Sequence, residues 1–193
     1  MQFGHLPLAL SIATYDWSPE TALFCIAMHW LPNADSLVVK AGLDKPAIKA
    51  ANAFESALKG KNNRNNIDPA DDPFWTENGG FHCTVTHSFL FAIVVAAFIA
   101  IFSTKYAIFA FVAISAHYLA DIGSTVGLPL MWPLTRKKYT LALFEDTGWW
   151  GKSMFIGYYK QPTSWVLEGA VTLFFVYRLS VVYNWNLLPQ LFS

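Results

Sequence analysis

Apolar positions in this chain come in blocks of helical length, not in strand-like alternation. Residues 86–104 (THSFLFAIVVAAFIAIFST) and 106–122 (YAIFAFVAISAHYLADI) are apolar around the whole circumference of a helix. Such blocks suit burial in lipid or in a bundle. As helices they would extend roughly 28 and 25 Å, close to the ~30 Å hydrocarbon layer of a bilayer. The polar break Ser103-Thr104-Lys105 predicts a tight helical hairpin. A third span is predicted over 163–183 (TSWVLEGAVTLFFVYRLSVVY), opened by Pro162 and Thr163. Glu168 and Arg178 within it are expensive in lipid, so each should face protein, a cavity or the interface.

The N-terminal pattern is interrupted. Residues 6–14 and 21–31 are apolar, and Tyr15-Asp16-Trp17-Ser18-Pro19 separates them. Each arm is short, roughly 14–17 Å as helix, which predicts a helical hairpin packed beside the other spans or dipping partway in. Asp16 and Glu20 read as turn caps. Residues 36–81 are hydrophilic, and Pro46–Leu58 (PAIKAANAFESAL) predicts an amphipathic helix lying along a membrane surface. A second polar connection, 123–162, carries Trp132, Trp149 and Trp150, which suggests an interfacial aromatic belt. The expected organisation is one membrane domain over 1–193. Its parts are an N-terminal helical hairpin (1–35), a hydrophilic insert (36–81), a transmembrane hairpin (82–123), an interfacial connection (124–162) and a last transmembrane helix (163–185). The fold class is all-α, a polytopic membrane helical bundle with a polar cytoplasmic insert.

Composition strengthens this. Charged residues make up 13% of the chain, about half the usual share of a soluble domain. Between Thr86 and Gly123 the charged residues are Lys105 and Asp121 alone. Net charge is zero, which gives no reason to expect a nucleic-acid partner. Cys25 and Cys83 form no disulfide framework. The absence of Lys or Arg before Lys40 removes the basic region of a cleavable signal, so the first residues are expected to stay in the mature protein. Six of the thirteen Lys and Arg fall in 36–81 and five in 123–162. Both segments flank the same hairpin and should share a side, which the positive-inside rule makes the cytoplasm.

On that topology the ligand-type residues gather. His82 and His87 precede or open one arm of the hairpin, and His117 and Asp121 close the other at i, i+4, on one helical face. His5 begins the N-terminal hairpin and Asp35 follows it, again at one end. Imidazoles and carboxylates from separate elements meeting in one place are what a divalent metal site requires. Zinc is the first expectation, with Mn or Fe as alternatives. Taken one at a time, interfacial histidines are commonly headgroup-level polar residues; His29, within AMHWL, is read that way. Cys83 reads as a small filler, and Thr86 and Ser88 as helix caps.

The segments HLPLA at the start, LPNAD at 31–35, HCTVTHS at 82–88 and HYLADIGSTVGLPLMWPL at 117–134 resemble the YdjM-like inner-membrane proteins, some of them associated with LexA (SOS) control. The resemblance runs in order from residue 5 to about 134, and Asn33 stands where the family usually shows Asp. It implies a metal-dependent hydrolase in the cytoplasmic (inner) membrane of a bacterium or archaeon, multi-pass. His5, Asp35, His82, His87, His117 and Asp121 would be its polar site. The expected substrate is a lipid or amphiphile ester or phosphoester, and the expected partners are membrane lipids. Asp35 or Glu168 would act as base or orienting group. The competing expectation is a non-catalytic scaffold in which the metal staples the bundle and the insert recruits a partner.

Overall fold

The structure is a computed structural model and describes residues 3–60, 72–76, 81, 83–147 and 152–185. His82, Trp149 and Trp150 lie outside the described residues. The regular elements among the described residues are all helices; 122–147 is an irregular connection with two isolated bridges, Ser124 to Phe144 and Leu128 to Tyr139, and no strand.

The N-terminal hairpin forms as α1 (His5–Ala13) and α2 (Pro19–Trp30). Ser18 caps α2 by accepting from the Thr21 amide at 3.1 Å, with Pro19 in the first turn where its missing N–H does no harm. Asp16 has another task than capping: it pairs with Lys105. The second arm is longer than the pattern suggested. Leu31–Ala34 continues as a 3-10 turn into α3 (Asp35–Lys40). The stretch Pro19–Lys40 is therefore long and apolar enough to cross a membrane, as is α9 (Pro162–Val182). Pro32 sits in the first turn of the 3-10 segment, where its ring is tolerated.

The central hairpin is present as α6 (Phe89–Ala100) and α7 (Thr104–Asp121), with Ser103 capping α7 through the Tyr106 amide. α6 is shorter than the expected span. At its start Val85–His87 tightens into a 3-10 turn, and Ser88, not Thr86, caps the helix. Twelve helical residues reach only about 18 Å.

Small side chains let these helices approach closely. Ala9, Ala13, Cys25, Ala110 and Ala113 are fully buried where α1, α2 and α7 meet. The outward faces are large and apolar: Ile93, Val94 and Phe98 on α6, Ile108 and Leu119 on α7, Trp165, Val166 and Leu173 on α9. Such a continuous exposed apolar surface calls for a non-aqueous surrounding.

The two ends of the bundle differ. At one end Lys105 pairs with Asp16, Arg178 donates to Thr14 Oγ1 at 3.0 Å, and its guanidinium covers the Tyr15 ring at 3.9 Å. Arg178 thus faces protein, as its cost in lipid demands. At the other end lie the first turn of α1, the last turns of α2 and α7 and the entry to α6. The insert helix α4 (Asp44–Lys59) matches the expected amphipathic helix, but its buried face meets protein. Ile48 and Ala51 pack with Phe74 and Trp75 of α5 (Pro73–Thr76) and with Trp132, so Trp132 is a core residue and no part of an interfacial belt. Arg136 clamps this layer, donating to Glu55 Oε2 at 2.7 Å, Asp72 Oδ2 at 2.6 Å and Asn52 Oδ1 at 2.7 Å. Burial opposes both charges of the Arg136–Glu55 pair. The hydrogen bonds outweigh it, holding the Glu55 carboxyl below its ordinary value and the Arg136 guanidinium above.

Candidate metal centre

Four histidines and two aspartates meet at the insert end, each delivered by a helix terminus. His5 opens α1, His29 ends α2, Asp35 opens α3, His87 closes the 3-10 turn before α6, and His117 and Asp121 occupy the last turn of α7. His29, His87 and His117 are fully buried; the Asp121 carboxylate is 21% exposed. Trp30 stands over His5 and His29 with ring centroids 6.1 and 5.6 Å away.

Two overlapping sets of three could each hold a metal: His87, His117 and Asp121, and His5, His29 and His117. In the first, His87 Nε2 and His117 Nε2 are 3.2 Å apart, and Asp121 Oδ2 lies 3.1 Å from His117 Nε2 and 3.9 Å from His87 Nε2. The other carboxylate oxygen, Oδ1, is 3.2 Å from His5 Nε2. His5 Nδ1 in turn is 2.9 Å from His29 Nε2, and His29 Nδ1 is 3.0 Å from the Ala113 carbonyl.

The surroundings fix the tautomers. Thr86 gives its one hydroxyl proton to Asp35 Oδ2 at 2.6 Å and so accepts from His87 Nδ1 at 3.1 Å. His87 therefore turns the lone pair of Nε2 toward His117 Nε2, 3.2 Å away. The Ala113 carbonyl can only accept, so His29 Nδ1 carries a proton and its Nε2 is a lone pair. Imidazoles held through the far nitrogen by a carbonyl or a carboxylate relay are what metal ligands need. Asp35 is buried and also takes the Cys83 amide at 3.0 Å. That contact holds Cys83 at φ +57, a left-handed conformation costly for a residue with a Cβ. Burial, then the nearby Asp121 and Asp35 carboxylates, pushes the Cys83 thiol well above its ordinary value. Its sulfur lies 3.7 Å from His87 Nε2. The Tyr118 hydroxyl, 2.7 and 2.9 Å from the carbonyls of Thr86 and Ser88, ties the tight turn to α7.

Of the residues expected from sequence, His5, Asp35, His87, His117 and Asp121 come together. His82 is outside the described residues. Glu168 belongs to neither set of three; its carboxylate accepts from Tyr159 at 3.3 Å on the α8 (Lys152–Tyr159) side of α9. His29 corrects the reading as a headgroup-level residue: it is fully buried and linked to His5. The hairpin that put His5 and Asp35 at one end already carried His29 there, six residues before Asp35.

A family profile described as YdjM inner membrane protein matches residues 4–188. The chain belongs to the YdjM inner membrane protein family. The match covers every residue of the centre and both candidate spans. Among curated proteins and solved structures nothing matches the chain.

The donor set of this YdjM-family chain fits a divalent cation. Ligand atoms 2.0–2.1 Å from a tetrahedral zinc are about 3.3–3.4 Å from one another, and octahedral neighbours about 3.0 Å. The 3.1 and 3.2 Å separations in the first set fall at these values, and a small closure brings in the 3.9 Å pair. Imidazole with carboxylate suits Zn, and equally Mn or Fe.

Proposed function

We propose that this chain crosses the membrane several times, with 36–81 and 123–162 in the cytoplasm, and that it is a membrane-bound, metal-dependent hydrolase. Its substrate would be a lipid or amphiphile ester, phosphoesters included. The observation that carries the reading is the group His87, His117 and Asp121. It is a near-closed set of ligand atoms at the insert end of the bundle, of which the carboxylate alone is partly exposed. Catalytic metal sites keep three protein ligands and an open position. A bound divalent ion supplies Lewis acidity and a water of lowered pKa.

The protein's part is orientation and access. Thr86 and Asp35 aim His87, so Asp35 is a positioning residue. Asp121 holds His5 and His117 with its two oxygens. The exposed edge of Trp30 and the apolar flanks of α6 and α9 suit an acyl chain entering from the lipid side.

Complete burial of His29, His87 and His117 favours the other reading, a closed structural metal in a scaffold protein. One experiment separates them. Wild type and Asp121→Asn are incubated with a bacterial lipid extract and Zn²⁺, Mn²⁺ or Fe²⁺, and products are compared by mass spectrometry. The hydrolase yields product with wild type only, and the variant stays folded in detergent. No wild-type product with any metal, together with a large drop in the variant's melting temperature, establishes the scaffold instead, because lost metal binding is lost folding free energy.

A further inference from the structure

We infer that the centre takes a second cation, held between His5 Nδ1 and His29 Nε2, with His117 completing a three-histidine set. This rests on the metal-centre reading above and extends it from one ion to two.

The contacts around His5 and His29 outnumber the protons available to them. A chain of three contacts runs from the Ala113 carbonyl through His29 and His5 to Asp121 Oδ1, at 3.0, 2.9 and 3.2 Å. Both ends are acceptors. A neutral imidazole carries one N–H, so two histidines bring two protons to three contacts. The Ala113 contact takes one, since a carbonyl has nothing to give. The carboxylate contact takes the other, because a lone pair aimed at Asp121 Oδ1 would be repelled. His5 Nδ1 and His29 Nε2 then face one another as lone pairs at 2.9 Å with no hydrogen between them. In a buried site that arrangement calls for a positive centre between the two nitrogens.

Each of the two histidines already has the support a metal ligand needs. His29 is held through Nδ1 by a backbone carbonyl, and His5 through Nε2 by a carboxylate. The third member has a nitrogen to spare. His117 directs Nε2 at Asp121 and His87, while its Nδ1 is buried with no hydrogen-bond partner. Asp121 joins the two positions: Oδ2 faces the first set and Oδ1 orients His5 in the second. With both ions bound, His117 would give Nε2 to the first and Nδ1 to the second, releasing its one N–H proton to solvent and ligating as an imidazolate. Two neutral imidazoles and this imidazolate select a borderline ion such as Zn²⁺ over Mg²⁺ or Ca²⁺. The 2.9 Å pair opens by a few tenths of an ångström to reach tetrahedral spacing.

The test counts metal on the full chain in detergent. Stripped protein is equilibrated with ZnCl₂, desalted, and assayed by elemental analysis, with far-UV circular dichroism as the folding check. Wild type should hold two Zn per chain; His29→Ala and His29→Gln should each hold one at unchanged helicity. Repeating the titration with CoCl₂ should give two successive visible-band increments in wild type and one in the variants. One Zn in wild type overturns the inference, since an extra proton on the His5–His29 pair then explains the chain of contacts. Two Zn retained in a folded His29 variant overturns it as well. These results leave the first site standing, whereas no Zn in wild type removes the metal reading altogether. Should neither variant fold, the wild-type count decides alone.

Discussion

Removing Arg136 should release the insert from the bundle end. Three charge-assisted hydrogen bonds leave with the guanidinium, and the groups left behind are poorly solvated: the side chains of Glu55 and Asp72 are 2% and 10% exposed. Glu55 retains Lys59 at 2.6 Å, and Asp72 retains the Phe74 amide at 3.1 Å. Breaking one partner from a buried ion pair costs about 3–5 kcal/mol. With these residual partners the lower end applies, about 3 kcal/mol for Arg136→Ala. That corresponds to roughly 150-fold in the ratio of detached to docked insert. Trypsin reads this directly, because cleavage after Lys49 follows the population of the open form when opening is fast. The variant should be cut about 100-fold faster than wild type while the helical signal of the bundle persists. Arg136→Lys should fall between, since one ammonium cannot span both carboxylates. The pH dependence carries a definite sign. The folded value of Glu55 is depressed below its ordinary 4.5, so its contribution is complete above that pH and fades as the pH falls through the folded value. Protection of the wild-type insert against pepsin should therefore weaken on acidification below about pH 4.5, and that of the variant should change little. Equal cleavage rates for wild type and Arg136→Ala at neutral pH would refute the clamp.

Two further outcomes are expected. Thr86→Val deletes the hydroxyl between His87 and Asp35 while keeping the shape, and should weaken zinc affinity about 10–100-fold in a competition titration; unchanged affinity denies Thr86 and Asp35 their positioning role. Labelling intact cells with a membrane-impermeant maleimide should modify Gln190→Cys and spare Asn63→Cys, and modification of Asn63→Cys from outside reverses the proposed orientation.

The hairpin between α6 and α7 was legible because a polar cluster interrupts two apolar runs, and Ser103 does cap the second. Its closure is what brings His87 to His117 across thirty positions. The amphipathic helix was legible too, since Asp44–Lys59 encloses the expected Pro46–Leu58. Its docking was not. A periodic apolar face has the same pattern whether it meets lipid or Trp75 and Trp132, and only the Arg136 contacts decide between them. The short α6 was hidden for a different reason: hydropathy records which residues tolerate lipid, not where the backbone tightens to aim a histidine. His29 was missed because a single imidazole in an apolar run is ambiguous until the carbonyl and the second imidazole on its two sides are known.

The His29 bond to the Ala113 carbonyl has a mechanical consequence. That carbonyl lies one turn before His117 on α7, so α2 grips the helix at the level of its own ligand. A helix advances 1.5 Å per residue, and a slide of α2 along α7 by two residues, about 3 Å, would carry His29 out of hydrogen-bonding range. Further along the same seam Phe24 of α2 lies against Tyr106 of α7, with ring centroids 4.8 Å apart. The centre and this aromatic contact are thus two teeth that hold one register between the helices. Forces that shift one helix along another, such as a change in bilayer thickness, would reach the ligands through that shared register.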